Sequence, residues 1–230
     1  MRDSINLRNA FGAAARPTCV RLAVLLAVLS ATAYAGNRNE LTLGGGTRAL
    51  RSNSANAVTD ESLGNGNLTY GRRIDIELIP RLETWVTGGF HWGGTDGALF
   101  QMSTEIDTLG FTAGGRLRYL LHPNLAVAAR LDLGTARTAL AIDGAGHRVS
   151  DSGWGGTFGG AVGVDAYAIA HRTFSFGARI ELGYVAMTSP ALSPREDQDD
   201  TMIHLDAQQA SIGHLDLGGR YFSFSMLGTF

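Results

Sequence analysis

From residue 68 onward, apolar side chains recur at every second position with polar residues between them, a period of two that predicts strands. The clearest segment sets Phe174, Phe176, Ala178, Ile180, Leu182 and Tyr184 against Ser175, Arg179 and Glu181. Upstream, Leu68, Tyr70, Ile74, Ile76 and Leu78 oppose Arg73, Asp75 and Glu77, and Leu82, Val86, Phe90 and Trp92 oppose Glu83, Trp85 and His91. Leu109, Phe111, Leu117 and Tyr119 then alternate with Thr112, Arg116 and Arg118, and Leu125, Val127, Leu131 and Leu133 with Arg130 and Asp132. Trp154, Phe158, Val162 and Val164 face away from Asp165 and Tyr167; Phe222, Phe224, Met226 and Phe230 alternate with Ser223, Ser225 and Thr229. A weaker segment, Leu41 and Leu43 about Thr42, brings the expected strands to eight.

The connections alternate in length. Residues around Pro80-Arg81, His122-Pro123-Asn124 and Ala170-His171-Arg172 read as tight turns, whereas 48–66, 93–104, 135–153 and 186–208 read as long loops rich in Gly, Ser, Asn and Asp. Short turns at one end and long loops at the other predict an all-β, eight-stranded antiparallel up-and-down transmembrane β-barrel with four long extracellular loops. Ten steps from Phe174 to Tyr184, at about 3.4 Å each and a tilt of roughly 40°, give about 26 Å of height, close to the apolar band of about 25 Å of such barrels. Aromatics sort by depth in this scheme: Tyr70, Trp92, Trp154 and Tyr184 at the loop end, Tyr119, Phe174 and Phe230 at the turn end. Two such tiers form interfacial girdles. In a soluble barrel or sandwich the apolar face would point inward, and the tiers, the unequal loops and the terminal aromatic would have no common cause.

The opposite face is then the interior. It carries Arg73, Arg116, Arg118, Arg130 and Arg179 against Asp75, Glu77, Glu83, Asp132, Asp165 and Glu181. Eight strands leave room only for side chains, so a salt-bridged plug is expected, with Gly114, Ala126, Ala128, Gly159, Gly163 and Gly177 making space for the arginine stems. Leu215 and Leu217 are odd-numbered whereas Phe222 and Phe224 are even, which predicts a β-bulge near Gly218-Gly219.

Composition sharpens the picture at the N-terminus. Arg16 and Arg21, the apolar run 22–29 and the A-x-A sequence Ala33-Tyr34-Ala35 read as a signal peptide over 1–35, leaving a barrel domain over 36–230. The chain has 19 basic residues, all arginine, and 21 acidic ones. Without 1–35 the acids outnumber the arginines, which argues against a nucleic-acid partner. The single Cys19 falls within the expected leader, so no disulfide staples the exported domain.

The terminal strand, RYFSFSMLGTF, alternates and ends on an aromatic ring. In this it resembles the small eight-stranded bacterial outer-membrane barrels, of the OmpX, OmpW and OmpA transmembrane-domain type. The resemblance implies an outer-membrane location in a Gram-negative cell and contact with outer-membrane lipid and lipopolysaccharide. It also implies that the barrel-assembly machinery reads Phe222, Phe224, Met226 and Phe230, Gly228 departing from the pattern at one outward position. A non-enzymatic role in envelope integrity or surface interaction through the loops is the first expectation, with no cofactor. The alternatives are a lipid A-modifying enzyme of the outer leaflet, or a narrow pore for small hydrophobic molecules. Candidate chemistry is thin: His147, Ser150, Asp151 and Ser152 share one loop; His204, Asp206, His214 and Asp216 offer metal-ligand types; Glu196 to Asp200 form an acidic run.

Overall fold

A computed structural model of the chain describes residues 38–51, 62–76, 79–99, 102–144, 147–171, 173–188, 195–196 and 217–230. The strands are β1 (Asn39–Leu50), β2 (Ser62–Ile74), β3 (Leu82–Leu99), β4 (Met102–His122), β5 (Leu125–Gly144), β6 (His147–Ala170), β7 (Ser175–Met187), the two-residue β8 (Arg195–Glu196) and β9 (Gly219–Thr229). Eight of them close a cylinder: each long strand pairs antiparallel with its neighbour in sequence, β7 with β9, and β9 with β1. β8 adds only a short pairing to the outer part of β6. The closing ends meet where Asn39 N donates to the Phe230 carbonyl at 2.8 Å and Phe230 N donates to the Asn39 carbonyl at 2.9 Å. Closing β9 onto β1 pairs the two strand edges that an open sheet would leave bare, as hydrocarbon surroundings demand.

The tight turns fall where the sequence places them. Ile79 to Leu82 form a turn in which Leu82 N donates to the Ile79 carbonyl at 3.1 Å, Pro80 leading and Arg81 taking φ of 69°. A proline followed by a positive φ is the pattern of a type II turn. Asn124 Nδ2 donates to the Tyr167 carbonyl at 2.9 Å and Tyr167 N to the Asn124 carbonyl at 2.9 Å, which ties the turn between β4 and β5 to β6.

The opposite end differs from expectation. Instead of long loops over 93–104 and 135–153, β3 and β4 run on to Leu99 and Met102, and β5 and β6 to Gly144 and His147. Each hairpin is therefore sheet almost to its tip, with connections of two residues at 100–101 and 145–146. The sequence loses its outward apolar pattern there because these stretches stand in water, and a polar outer face does not stop strands from pairing. Along β4 the change is visible within four residues: Leu109 and Phe111 face outward, whereas next above them Ile106 is fully buried inside, between the exposed Glu105 and Asp107. The same inversion separates outward Leu131 and Leu133 from inward Ala136 and Leu140 on β5. Above it Leu50, Leu63, Ile106, Ala136, Leu140, Met187 and Leu217 make an apolar core inside the barrel.

Leu217 removes the need for the expected bulge. β9 keeps unbroken register with β1 and β7 from Gly219 to Thr229, its odd residues face inward, and Leu217 continues that face into the apolar core. Register shifts lie instead at Leu120/His122 and Tyr167/Ile169, beside the tight turns.

Candidate functional site

Inward residues of the barrel's lower half converge on one carboxylate, Glu40 of β1. Its Oε1 lies 2.7 Å from Arg116 Nη1 and 3.0 Å from Arg179 Nη1, and its Oε2 lies 3.0 Å from Arg118 Nη1. The arginines are shared in turn. Arg179 forks onto Asp165, and Arg118 Nη2 meets Glu83 at 2.5 Å while its Nη1 donates to the Tyr167 hydroxyl. Arg73 Nη1 joins Glu83 at 3.2 Å, and Asp75 at the mouth pairs with Arg73 at 3.5 Å and Arg38 at 2.8 Å. Nearer the middle, Arg130 pairs with Asp132 at 2.9 Å and Glu181 at 3.4 Å, and its Nη2 donates to the Tyr221 hydroxyl at 2.9 Å. Trp85 is fully buried within the network, with the Arg118 and Arg116 guanidinium carbons 4.5 and 5.3 Å from its ring centre and its Nε1 donating to Glu83 at 3.2 Å.

Small residues create the space. A side chain at Gly114 would come within 2.1 Å of the Leu131 carbonyl and 2.5 Å of Asp132 Oδ1, so the wall at this point admits only hydrogen. Ala126 and Ala128 line the interior beside it, both buried.

Ten of the eleven interior charges read from the sequence are thus placed by name, and Glu77 lies outside the described residues. Asp75 is half exposed at the rim and not deep in the lumen. Glu40 is the member that the pattern did not flag, although its parity opposite Leu41 and Leu43 carries the signal. Arg48, which falls in a stretch expected to be loop, is also an interior residue, facing a polar chamber with Tyr221. Of the aromatics, Trp92, Trp154 and Tyr184 stand toward the loop end and Tyr119, Phe174 and Phe230 toward the turn end. Tyr70 is a correction: β2 starts at Ser62 and descends, so Tyr70 lies low, where its hydroxyl donates to Asn39 Oδ1 at 2.8 Å.

The outer wall is apolar: Leu131, Leu133, Val162, Leu182 and Phe224 are all more than half exposed, Leu133 at 65%. Charge inside and hydrocarbon outside invert the polarity of a soluble protein, and only a lipid surround makes that arrangement favourable. This is the fold of an outer-membrane β-barrel. Among solved structures the barrel is similar to Ail, the attachment invasion locus protein of Yersinia pestis, at 13% identity over 84% of this chain and 97% of that one, with a TM-score of 0.43. It is similar to the translocator domain of the autotransporter NalP from Neisseria meningitidis at 9% identity over 95% and 98%, with a TM-score of 0.44. Similarity to the N-terminal β-barrel domain of Pseudomonas aeruginosa OprF is 10% over 84% and 98%, with a TM-score of 0.32. No protein-family model matches the chain, and no curated protein matches it in sequence.

The candidate catalytic group does not assemble. Ser150, Asp151 and Ser152 lie on β6, where alternation sends Asp151 to the opposite face from the two serines. Ser152 Oγ accepts from Arg137 Nη2 at 2.8 Å on the outer wall, and Ser152 N donates to Asp151 Oδ1 at 2.7 Å. Among the described residues no three His, Cys, Asp or Glu side chains are grouped to hold a metal ion. His204, Asp206, His214, Asp216 and the run 197–200 lie outside the described residues.

Proposed function

We propose that the protein is a sealed, non-enzymatic barrel of the outer membrane that contributes to envelope integrity and presents two rigid hairpins, β3–β4 and β5–β6, for surface interaction. The observation that carries this reading is the lumen itself. Among the described residues a charge network crosses it from β1 to β4, β6 and β7 and an apolar core lies above, which supports a lumen filled by side chains over an open channel. The hairpins rise seven residues beyond Trp92, roughly 18 Å above the aromatic tier at about 3.4 Å per residue and a 40° tilt. Within each hairpin the two strands stay paired up to Leu99↔Met102 and Gly144↔His147, so a partner at the surface meets a preformed shape and not a loop to be ordered.

In this reading the two tiers of aromatics mark the lipid interfaces, with lipopolysaccharide against the upper one. Residues 1–35 are removed on export, and Phe222, Phe224, Met226 and Phe230 are the strand signature recognised during assembly. The decisive experiment is single-channel recording of the refolded protein in planar bilayers. A silent bilayer is expected, and steady unitary current would turn the reading to a pore. Lipid A mass spectra from cells with and without the protein are expected to match; an altered spectrum would turn it to an outer-leaflet enzyme.

A further inference from the structure

Midway up the lumen, at the upper edge of the charge network and below the apolar core, lies a polar-lined chamber of about 80 Å³. Asn65, Asn67, Thr69 and His91 line it from β2 and β3, Arg130 and Asp132 from β5, Thr157 from β6, and Tyr221 and Ser223 from β9; Arg48 enters from β1. At about 30 Å³ per water, it holds two or three water-sized species.

Arg48 is unlike every other arginine of the interior. Arg38, Arg73, Arg116, Arg118 and Arg179 are joined in one series of ion pairs with Glu40, Asp75, Glu83 and Asp165, and Arg130 pairs separately with Asp132 and Glu181, six charges against six in all. That set is neutral. Arg48 is 9% exposed, has no carboxylate within ion-pair distance among the described residues, and makes one long bond, from Nη1 to the Leu217 carbonyl at 3.4 Å. Its Nε has no protein partner, and neither have Thr157 Oγ1, Ser223 Oγ and Asn67 Oδ1 around the same chamber. A guanidinium does not shed its proton, so the excess positive charge stays. A buried charge without a counterion costs several kcal/mol. Asp132, the acid on the chamber wall, shares Arg130 with Glu181, at 2.9 and 3.4 Å; among the described residues neither acid comes within ion-pair distance of Arg48, and His91 supplies no negative charge.

We propose that the chamber is a binding site for a small monovalent anion of the halide class, held by the Arg48 guanidinium and by the hydroxyls of Thr157 and Ser223. The anion neutralises Arg48, takes the idle N–H and O–H donors, and leaves room for one or two waters that satisfy Asn67. Its size excludes organic anions such as gluconate. The site is a structural ion bound within a sealed wall, independent of what the hairpins contact.

The test uses bromide, with gluconate at equal ionic strength as the control. Crystals of the refolded protein grown in bromide are expected to show anomalous density beside Arg48. Ordered water alone in the chamber, or bromide only at surface arginines as an adventitious ion, overturns the proposal. In detergent, the unfolding temperature is expected to rise saturably with bromide and to be flat for Arg48→Gln. Thr157→Val keeps the shape and the arginine, and serves if Arg48→Gln does not fold. It is expected to raise the half-saturating bromide about tenfold, the loss of one hydrogen bond to a charged group. Half-saturation unchanged in Thr157→Val overturns the assignment.

Discussion

Arg179 grips Asp165 with one edge of its guanidinium: Nε donates to Oδ1 at 2.6 Å and Nη2 to Oδ2 at 2.7 Å. The third nitrogen, Nη1, reaches Glu40 at 3.0 Å, so a pair formed between adjacent strands β6 and β7 is carried across the lumen to β1. Removing one partner of a buried ion pair leaves a desolvated charge and costs about 3–5 kcal/mol. Glu40 is 1% exposed and answers three arginines, so Glu40→Gln is expected to lose at least the lower figure. Asp75→Asn, at a half-exposed rim position, is expected to lose under about 1 kcal/mol. Urea unfolding in lipid vesicles, followed by the gel-mobility difference between folded and unfolded forms, measures both. Equal losses for the two variants would deny the lumen network its central role.

The inverted polarity has a spectroscopic consequence. The chain has three tryptophans, and Trp85 is buried inside while Trp92 and Trp154 are 40% and 58% exposed on the outer wall. In vesicles of lipids brominated along the acyl chain, variants keeping only Trp92 or only Trp154 are expected to lose most of their fluorescence. A variant keeping only Trp85 is expected to keep its emission. Strong quenching of Trp85 is incompatible with its place among Arg116, Arg118 and Glu83.

Most of the barrel was legible in the sequence wherever one wall of a strand meets lipid, because lipid enforces apolar residues at every second position. Phe174 to Tyr184 and Leu125 to Leu133 were read with their faces assigned correctly for that reason. Legibility failed where the lipid ends. Ile106 and Leu140 point inward between polar neighbours, the reverse of the pattern below them, so the upper sheets of β4 and β5 read as loop. Arg48 and the start of β2 were lost to the same cause, and with the start of β2 went the height of Tyr70. Glu40 was overlooked for another reason: β1 is short of outward apolar residues beyond Leu41 and Leu43, since Gly44, Gly45 and Gly46 follow, and a weak strand hides its parity. Which arginine meets which acid is a matter of register across distant strands, and no spacing along the chain encodes it.

The lower turn offers a gain in stability. Arg81 sits at φ of 69° between Pro80 and Leu82, in a region where a side chain crowds its own backbone and glycine does not. Arg81 carries its side chain outward into solvent, so little packing is lost on its removal. Arg81→Gly is expected to stabilise the folded barrel by about 1 kcal/mol, net of the greater freedom of glycine in the unfolded chain. The same urea titration reads the shift, and a destabilised variant would point to an unrecognised contact of the arginine.

Above the lipid, the barrel depends on the kind of core that a water-soluble protein has. Ile106 and Leu140 are buried there among Leu50, Leu63, Met187 and Leu217, and truncating a buried aliphatic residue to alanine costs about 2–5 kcal/mol. The cost falls on the upper hairpins, because the strands below are held separately by the charge network and by lipid. Ile106→Ala and Leu140→Ala are therefore expected to open the tips near 100–101 and 145–146 to proteases added outside intact cells, while the membrane-embedded part keeps its folded gel mobility. Leu133→Ala makes an equal truncation on β5 at a lipid-facing position, and is expected to leave the tips as resistant as in the parent protein. If Leu133→Ala and Leu140→Ala sensitise the tips alike, the upper core is not what holds the hairpins upright.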